Sequence, residues 1–286
     1  VIVMVPKGLT SLQRIEEVLV HPIDVNDGTQ SVHEKGTDTK IASFNDVQFV
    51  YEGAEEPVLE HISFDIHRGK TTAIVGGTGS GKSTIAKALL RFKDVSKGFI
   101  TLFDQDIRNI SQEELRNHIS YVPQKALLLS GTIEETLRFG NHFATDKEID
   151  QAVEVAQAKA FIASLPDGYK SKVAQLGSNF SGGQKQRLSI ARALTKPSRI
   201  YFFDDSFSAL DYQTDANLRA ALNKQMTHAA VIIVAQRVAT VKQADQIIVL
   251  DNGRMVGKGT HEELLTGCKA YQEFAQSQGM RRTEDA

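Results

Sequence analysis

Cysteine is almost absent from this chain. A lone thiol, Cys268, has no partner for an internal disulfide, which fits a reducing compartment such as the cytosol. Long apolar runs are missing as well. The longest, Val1-Ile2-Val3-Met4-Val5 and Val231-Ile232-Ile233-Val234-Ala235, fall far short of the roughly 18–20 residues that cross a bilayer. The opening lacks the basic-then-apolar layout of a signal peptide and has no initiating Met, so the chain reads as a piece whose upstream part is missing. Excess positive charge is lacking too: 33 Lys and Arg against 35 Asp and Glu leave a formal net charge of -2, so no nucleic-acid partner is expected. The eight His are scattered without metal-ligand spacing, which argues against zinc, and Cys268 has no adjacent base to make it a nucleophile. What remains is an ordinary globular composition, 286 residues long, enough for one large domain or two small ones.

The richest stretch is Gly76-Gly77-Thr78-Gly79-Ser80-Gly81-Lys82-Ser83-Thr84. It follows the apolar strand-like Thr72-Ala73-Ile74-Val75 and precedes the helical spacing of Ile85 to Leu90. Strand, glycine-rich turn and helix is the context in which GxxxxGK[ST] binds a nucleoside triphosphate. Glycines let backbone N–H groups close round phosphates, the helix N-terminus and Lys82 supply positive charge, and the Ser83 hydroxyl can ligate Mg²⁺.

Elsewhere the pattern alternates between strand and helix. Leu9, Leu12, Ile15, Val18 and Leu19 predict an amphipathic helix, and His21 to Lys40, rich in Asp, Asn, Gly, Thr and Ser, predicts a linker. Val47, Phe49 and Tyr51, with Ile62, Phe64 and Ile66, predict an antiparallel pair; Phe99 to Phe103 and Ile119 to Val122 predict further strands. Ser111-Gln112-Glu113-Glu114 and Thr260-His261-Glu262-Glu263 read as capping boxes. From Thr132 to Ser164 the pattern is almost wholly helical, with Thr132 and Asp146 as caps, so the region from about Lys125 to Asn179 is a helical insertion. Arg199 to Phe203, Val231 to Ala235 and Gln246 to Leu250 suit a sheet covered on both faces, and Arg281 to Ala286 reads as a solvated tail.

Ile200-Tyr201-Phe202-Phe203-Asp204-Asp205 is an apolar strand ending in two carboxylates, and beside a phosphate loop Asp204 suits the Mg²⁺ shell. Ser181-Gly182-Gly183-Gln184 opens a helix whose exposed N–H groups suit an anion, although such a start is also common in purely structural helices. Tyr51, the phosphate loop, Val122-Pro123-Gln124, Phe180 to Gln184, the Asp204 strand, Ser208-Ala209-Leu210-Asp211 and Ile232 to Arg237 follow in that order. The succession resembles the nucleotide-binding domain of ATP-binding cassette (ABC) proteins, over about Ile41 to Gln278.

That resemblance implies an α/β P-loop NTPase cassette with a mostly parallel core sheet, an antiparallel β subdomain and an α-helical subdomain at about 125–180. It implies ATP and Mg²⁺ as ligands. By resemblance Tyr51 would stack on adenine, Gly76 to Thr84 would hold the phosphates, and Ser83, Gln124 and Asp204 would serve the metal. Gln124 would also reach the attacking water and sense the membrane partner. Ser181, Gly182, Gly183 and Gln184 would act on ATP held by a facing subunit, with Asp211 at the dimer interface.

Two departures matter. The family places Glu after the Mg²⁺-binding Asp and His at the end of the late strand; here these are Asp205 and Gln236. A missing methylene withdraws the carboxylate by about 1.5 Å, and misplacement by ~1 Å can cost ~100-fold in rate. Gln236 can donate a hydrogen bond but never carry charge. Both changes point to a site that holds ATP and turns it over slowly, as in one half of a heterodimeric exporter whose partner half-transporter restores Glu and His. Val173-Ala174-Gln175-Leu176-Gly177 departs from the exporter pattern Gly-Glu-Arg-Gly and fits such asymmetry. Residues 1–20 resemble the cytoplasmic extension of a last transmembrane helix, 21–39 a linker and 40–286 the cassette, with the chain's own transmembrane domain missing and the assembly at the cytoplasmic face of the cell membrane. A soluble ABC-type ATPase acting on DNA or ribosomes, and a homodimeric exporter with ordinary turnover, are the alternatives.

Overall fold

The computed structural model describes residues 4–20, 24–34 and 39–278. Helix α1 (Met4–Leu19) follows the three-and-four spacing of its apolar residues, and Val5, Leu9, Leu12, Ile15, Val18 and Leu19 all stay exposed. Residues 1–3 and the charged tail from Arg281 to Ala286 lie outside the described residues. No described helix is long and apolar enough to cross a membrane.

Strands β1 (Lys40–Phe49) and β2 (Leu59–His67) form the expected antiparallel pair, with Phe44 opposite Phe64 and their rings stacked at 4.6 Å. Then β3 (Thr71–Gly76) runs into the phosphate loop and α2 (Lys82–Leu89). Strand β4 (Lys97–Leu102) pairs antiparallel with β1, and the short β5 (Gln105–Asp106) with β4. Helix α3 (Gln112–Asn117) leads to β6 (Ile119–Val122), which stops at Pro123. The insertion holds β7 (Gly131–Thr132), α4 (Ile133–Arg138), α5 (Asp146–Val155), α6 (Lys159–Ala163) and β8 (Lys172–Val173). It closes on α7 (Gly182–Leu194), against which α4 and α5 pack. The chain finishes with β9 (Ile200–Asp204), α8 (Tyr212–Gln225), β10 (Ala230–Val234), α9 (Val238–Val241), β11 (Gln246–Asp251), β12 (Arg254–Gly259), α10 (His261–Gly267) and α11 (Lys269–Gln276).

The strands join into one sheet in the order β5-β4-β1-β2-β12-β11-β3-β10-β9-β6, whose run from β11 to β6 is parallel. Alternation along those strands sorts their side chains onto two faces. Tyr201, Phe203, Val231, Ile233, Ile247 and Val249 enter one buried cluster; Ile200, Phe202, Ile232, Val234, Ile248 and Leu250 enter the other. A sheet buried on both faces explains why these strands read as continuous apolar runs. Val234 stands opposite both Asp204 and Ile74, and Val122 opposite Phe203, so β3, β6, β9 and β10 end at nearly the same level. Open parallel sheets bind ligands in the crevice beyond such carboxyl ends.

Two local expectations are corrected. The cap of α5 is Thr145, whose reciprocal bonds with Glu148 complete a capping box; Asp146 is the first helical residue. Ser111 accepts from the Glu114 N–H, but the Glu114 carboxylate accepts from the Val32 N–H at 3.2 Å, so only half of that box forms. Within the expected helical insertion, β7 and β8 form a short antiparallel pair. Thr132 and Thr260 do form complete capping boxes.

The described part of the expected linker, 24–34, is bonded down along its length. The Asn26 carbonyl accepts from the buried Arg91 guanidinium at 2.8 Å, Gln30 N–H donates to Asn109, and His33 N–H donates to Gln105 Oε1. Glu34 bridges Arg68 at 2.6 Å and Arg199 at 2.7 Å. Burial alone would raise its carboxyl, but the two guanidinium groups hold it below its usual range. A Cβ at Gly28 would stand 2.3 Å from the Asn109 carbonyl carbon, so only glycine lets this segment lie so close. Gly28→Ala should therefore lift the strap, lower stability by about 1–3 kcal/mol, and open residues 24–34 to proteolysis. An unchanged melting temperature would show that the strap carries no load.

Candidate nucleotide site

The phosphate loop joins β3 to α2 through glycines whose conformations other residues resist. Gly76, Gly79 and Gly81 have φ of 155°, 80° and 96°, and a Cβ at Gly76 would stand 2.2 Å from the Leu250 carbonyl oxygen. At Gly77 and Gly79 an added Cβ would meet nothing within 4 Å, so protein packing does not demand these two. Space of that kind is what a close-approaching ligand needs. Gly81 caps α2 without a side-chain bond, so no cap side chain covers the start of the helix. Lys82 spans this cradle, donating to the Gly76 carbonyl at 2.9 Å and the Gly77 carbonyl at 2.6 Å. Burial lowers its affinity for the proton, and Asp205 and Asp204 oppose that. Anionic phosphate oxygens are stronger partners for an ammonium than neutral carbonyls.

At the end of β9, Asp204 is buried and takes two hydroxyls. Ser83 Oγ donates to its Oδ1 at 3.2 Å and Tyr121 Oη to its Oδ2 at 3.0 Å. Burial, then the Asp204 charge, pushes the Tyr121 phenol far above its usual range and keeps it a donor. Ser83 and Asp204 give a hydroxyl and a carboxylate side by side. That hard-oxygen pair suits Mg²⁺, which binds through one or two protein oxygens plus substrate phosphates. Among the described residues no group of three or more His, Cys, Asp or Glu gathers to hold a metal without such help.

Asp205 adopts φ 47°, uncommon for a residue with a side chain, and its N–H donates to the Val234 carbonyl at 3.0 Å. Its Oδ2 accepts from Gln124 Nε2 at 2.9 Å and from Gln236 Nε2 at 2.7 Å. The carboxylate can only accept while ionised, so both amides turn their NH₂ groups toward it. The two residues that depart from the family pattern are thus in direct contact.

Tyr51, just past β1, rests edge-on against Phe49, and its hydroxyl lies 3.3 Å from Thr84 Oγ1 and 3.3 Å from Lys87 Nζ. Thr84 thereby links the aromatic platform to α2. The helix start at Ser181 is a complete capping box with Gln184, legible in S-x-x-Q but not read as one. Asp211 caps α8, accepting from the Thr214 N–H and hydroxyl, which lower its carboxyl. Among the described residues no hydrogen bond joins Ser181, Gly182, Gly183, Gln184 or Asp211 to the phosphate loop, whereas Tyr51, Gln124, Asp204, Asp205 and Gln236 gather around it and each other. Tyr121, Lys87 and Arg237 were missed. Arg237 donates to the carbonyls of Ser208 and Leu210 at 2.9 and 3.3 Å, and only the fold brings them together.

Residues 59–208, more than half of the chain, match the ABC transporter family. An uncharacterized ABC transporter ATP-binding protein of Mycobacterium tuberculosis is 43% identical over 283 residues, 98% of this chain and 48% of that protein. The ATP-dependent lipid A-core flippase of Vibrio vulnificus is 37% identical, over 94% of this chain and 46% of its own. The solved structure of a bacterial Atm1-family ABC exporter with ATP bound superposes with a TM-score of 0.90 at 34% identity, covering 97% of this chain and 48% of that one. The chain spans about half the length of these relatives. It belongs to the ABC transporter family, as an ATP-binding domain with the cassette fold of exporters.

One consequence concerns pH. Burial, then the neighbouring Asp204 charge, raises the Asp205 carboxyl, while the two amides and Lys82 pull the other way. The folded state therefore holds a proton there more tightly than the unfolded chain. This contribution to stability is full below the ordinary carboxylate range and is lost as pH rises through the raised value. Asp205→Asn, whose carbonyl oxygen can still accept from both amides, should raise the melting temperature at neutral pH and flatten its decline above about pH 4. An identical pH profile would contradict the buried charge.

Proposed function

We propose that this chain is the ATP-driven motor domain of a membrane exporter, that its own phosphate-loop site binds ATP with Mg²⁺ and hydrolyses it slowly, and that it completes a faster site on a second half-transporter. The observation that carries the slow site is the Asp205 carboxylate held by two neutral amides. A general base needs reach to the attacking water and a partner that can shuttle charge. Asp205 is one methylene short of Glu, its Oδ2 is occupied by Gln124 and Gln236, and Gln236 has no protonation state to offer. The binding parts are complete by contrast. Tyr51 offers an aromatic face for adenine, Gly76 to Thr84 a cradle with Lys82, and Ser83 and Asp204 the oxygens for Mg²⁺, which when bound neutralises phosphate charge. Gln124 lies where it senses both Asp205 and the segment leading to the helical insertion.

In this reading a partner in the membrane docks on the groove between the core sheet and the insertion. Between the core sheet and the insertion lies a cavity of about 430 Å³ lined by Tyr121, Leu127, Leu129, Phe139, Arg192 and Lys196. Leu127, Leu129 and Phe139 are exposed there, an apolar surface that suits a cytoplasmic segment of the transmembrane domain. Tyr121 lines this cavity and also bonds Asp204, so the groove adjoins the nucleotide site. In this reading residues 1–20 extend a membrane-spanning helix, 21–39 lead from it, and 40–286 form the cassette at the cytoplasmic face. Ser181 to Gln184 and Asp211 address ATP held by the facing subunit, and the asymmetry favours a heterodimer. The flippase and exporter among the relatives support export as the direction of transport.

Asp205→Glu combined with Gln236→His should raise ATP turnover of the assembled transporter by about 10–100-fold at this site. Turnover is measured with the partner's phosphate-loop Lys replaced, so that only this site fires. No increase would mean that the two departures are neutral.

A further inference from the structure

Helix α9 has only four residues, and Arg237 at its N-cap makes no side-chain cap bond. The Val238 N–H is thus one of the unpaired donors of a helix start. It donates to Gln278 Oε1 at 2.7 Å. On the other side of Arg237, the Gln236 carbonyl accepts from Gln278 Nε2 at 2.6 Å. One primary amide therefore satisfies a donor and an acceptor of the turn between β10 and α9, forty residues away in sequence. Gln278 is itself held. Its N–H donates to Ala275, and α11 is anchored by the buried Ala275 and by Tyr271, whose hydroxyl lies 2.8 Å from His261 Nδ1.

Both side chains of the clamped turn reach segments that the proposed function uses. Gln236 reaches Asp205, and Arg237 holds the Ser208 and Leu210 carbonyls, just ahead of Asp211. Gln278, Gln236, Arg237, Ser208 and Asp205 border one cavity of about 460 Å³. We propose that Gln278 is a positioning residue that sets the 236–238 turn, keeping Gln236 on Asp205 and Arg237 on the segment that presents Asp211. Its effect on turnover rests on the proposed ATPase function; the clamp itself does not.

The test uses the full-length protein with its partner in lipid nanodiscs and the near-isosteric Gln278→Leu, which removes both bonds. With Arg237 loosened from the segment that presents Asp211 to the partner's faster site, turnover of the assembly should fall about tenfold, the order that a sub-ångström misplacement produces, while the ATP concentration for half-maximal rate stays as in the wild type. Deuterium uptake in peptides covering 236–241 should quicken, with no change over 76–84. Gln278→Glu keeps only the acceptor and should give an intermediate turnover, which guards against a poorly folded Leu variant. Unchanged exchange at 236–241 would overturn the clamp. Faster exchange with unaltered turnover, or a parallel loss of ATP affinity and melting temperature, would overturn the positioning role. If the wild type turns over no ATP, the proposed function fails, and exchange alone still decides the clamp.

Discussion

The parallel register of β3, β10, β9 and β6 is the constraint on which the site rests. Val234 faces Ile74 on one side and Asp204 on the other, and Phe203 faces Val122. With these pairs set, four loops leave the sheet side by side: the phosphate loop, Pro123-Gln124, Asp205 and Gln236. A slip of one residue in β9 would exchange its two faces and carry Phe202 and Phe203 into the wrong clusters. Each fully buried aliphatic or Phe side chain contributes about 1.5–3 kcal/mol, so packing on both faces holds the register against such a slip. The core specifies the site by specifying where the strands stop.

That placement crowds charge. Two carboxylates, Asp204 and Asp205, adjoin one ammonium, Lys82, in a region where unpaired charge is costly. The structure meets this with neutral donors: Ser83 and Tyr121 on Asp204, Gln124 and Gln236 on Asp205. Neutral donors stabilise the carboxylates without cancelling them, which leaves the site short of positive charge for a triphosphate. A divalent cation beside Ser83 and Asp204 would make up that shortfall, so the protein's own charges are consistent with a requirement for Mg²⁺.

What could be read in the sequence was what short range determines. The phosphate loop declares itself because φ above zero and close approach need glycine at set spacings, and β9, β10 and β11 because two-faced burial leaves apolar runs. Thr145 was displaced by Asp146 as the cap of α5 since both residues suit that position, and only the reciprocal Glu148 bonds distinguish them. Illegible were the long-range partners. Glu34 finds Arg199 across 165 residues, Tyr121 finds Asp204 across 83, and Gln278 finds Val238 across 40. No local pattern marks a residue whose partner is chosen by the fold. For the same reason composition makes His21 to Lys40 read simply as a linker, while the order of its described part, 24–34, comes from Arg91, Gln105 and Asn109.

The helix start at Ser181 shows why one chain makes only part of the proposed machine. Its capping box satisfies the Gln184 N–H and the Ser181 N–H, but the Gly182 and Gly183 N–H groups have no acceptor among the described residues. Gly182 has open space where a side chain would stand, and Gly183 faces only the Ala209 carbonyl, at 3.2 Å from an ideal Cβ. Two bare donors at the positive end of a helix of 13 residues favour an anion. Among the described residues no carboxylate is bonded there, and the phosphate loop makes no bond to it. In the proposed assembly an acceptor from a facing subunit would answer both facts, and Asp211, exposed at the start of α8, stands on the segment that Gly183 touches. In the proposed assembly the anion favoured at this helix start is a phosphate of the partner's ATP.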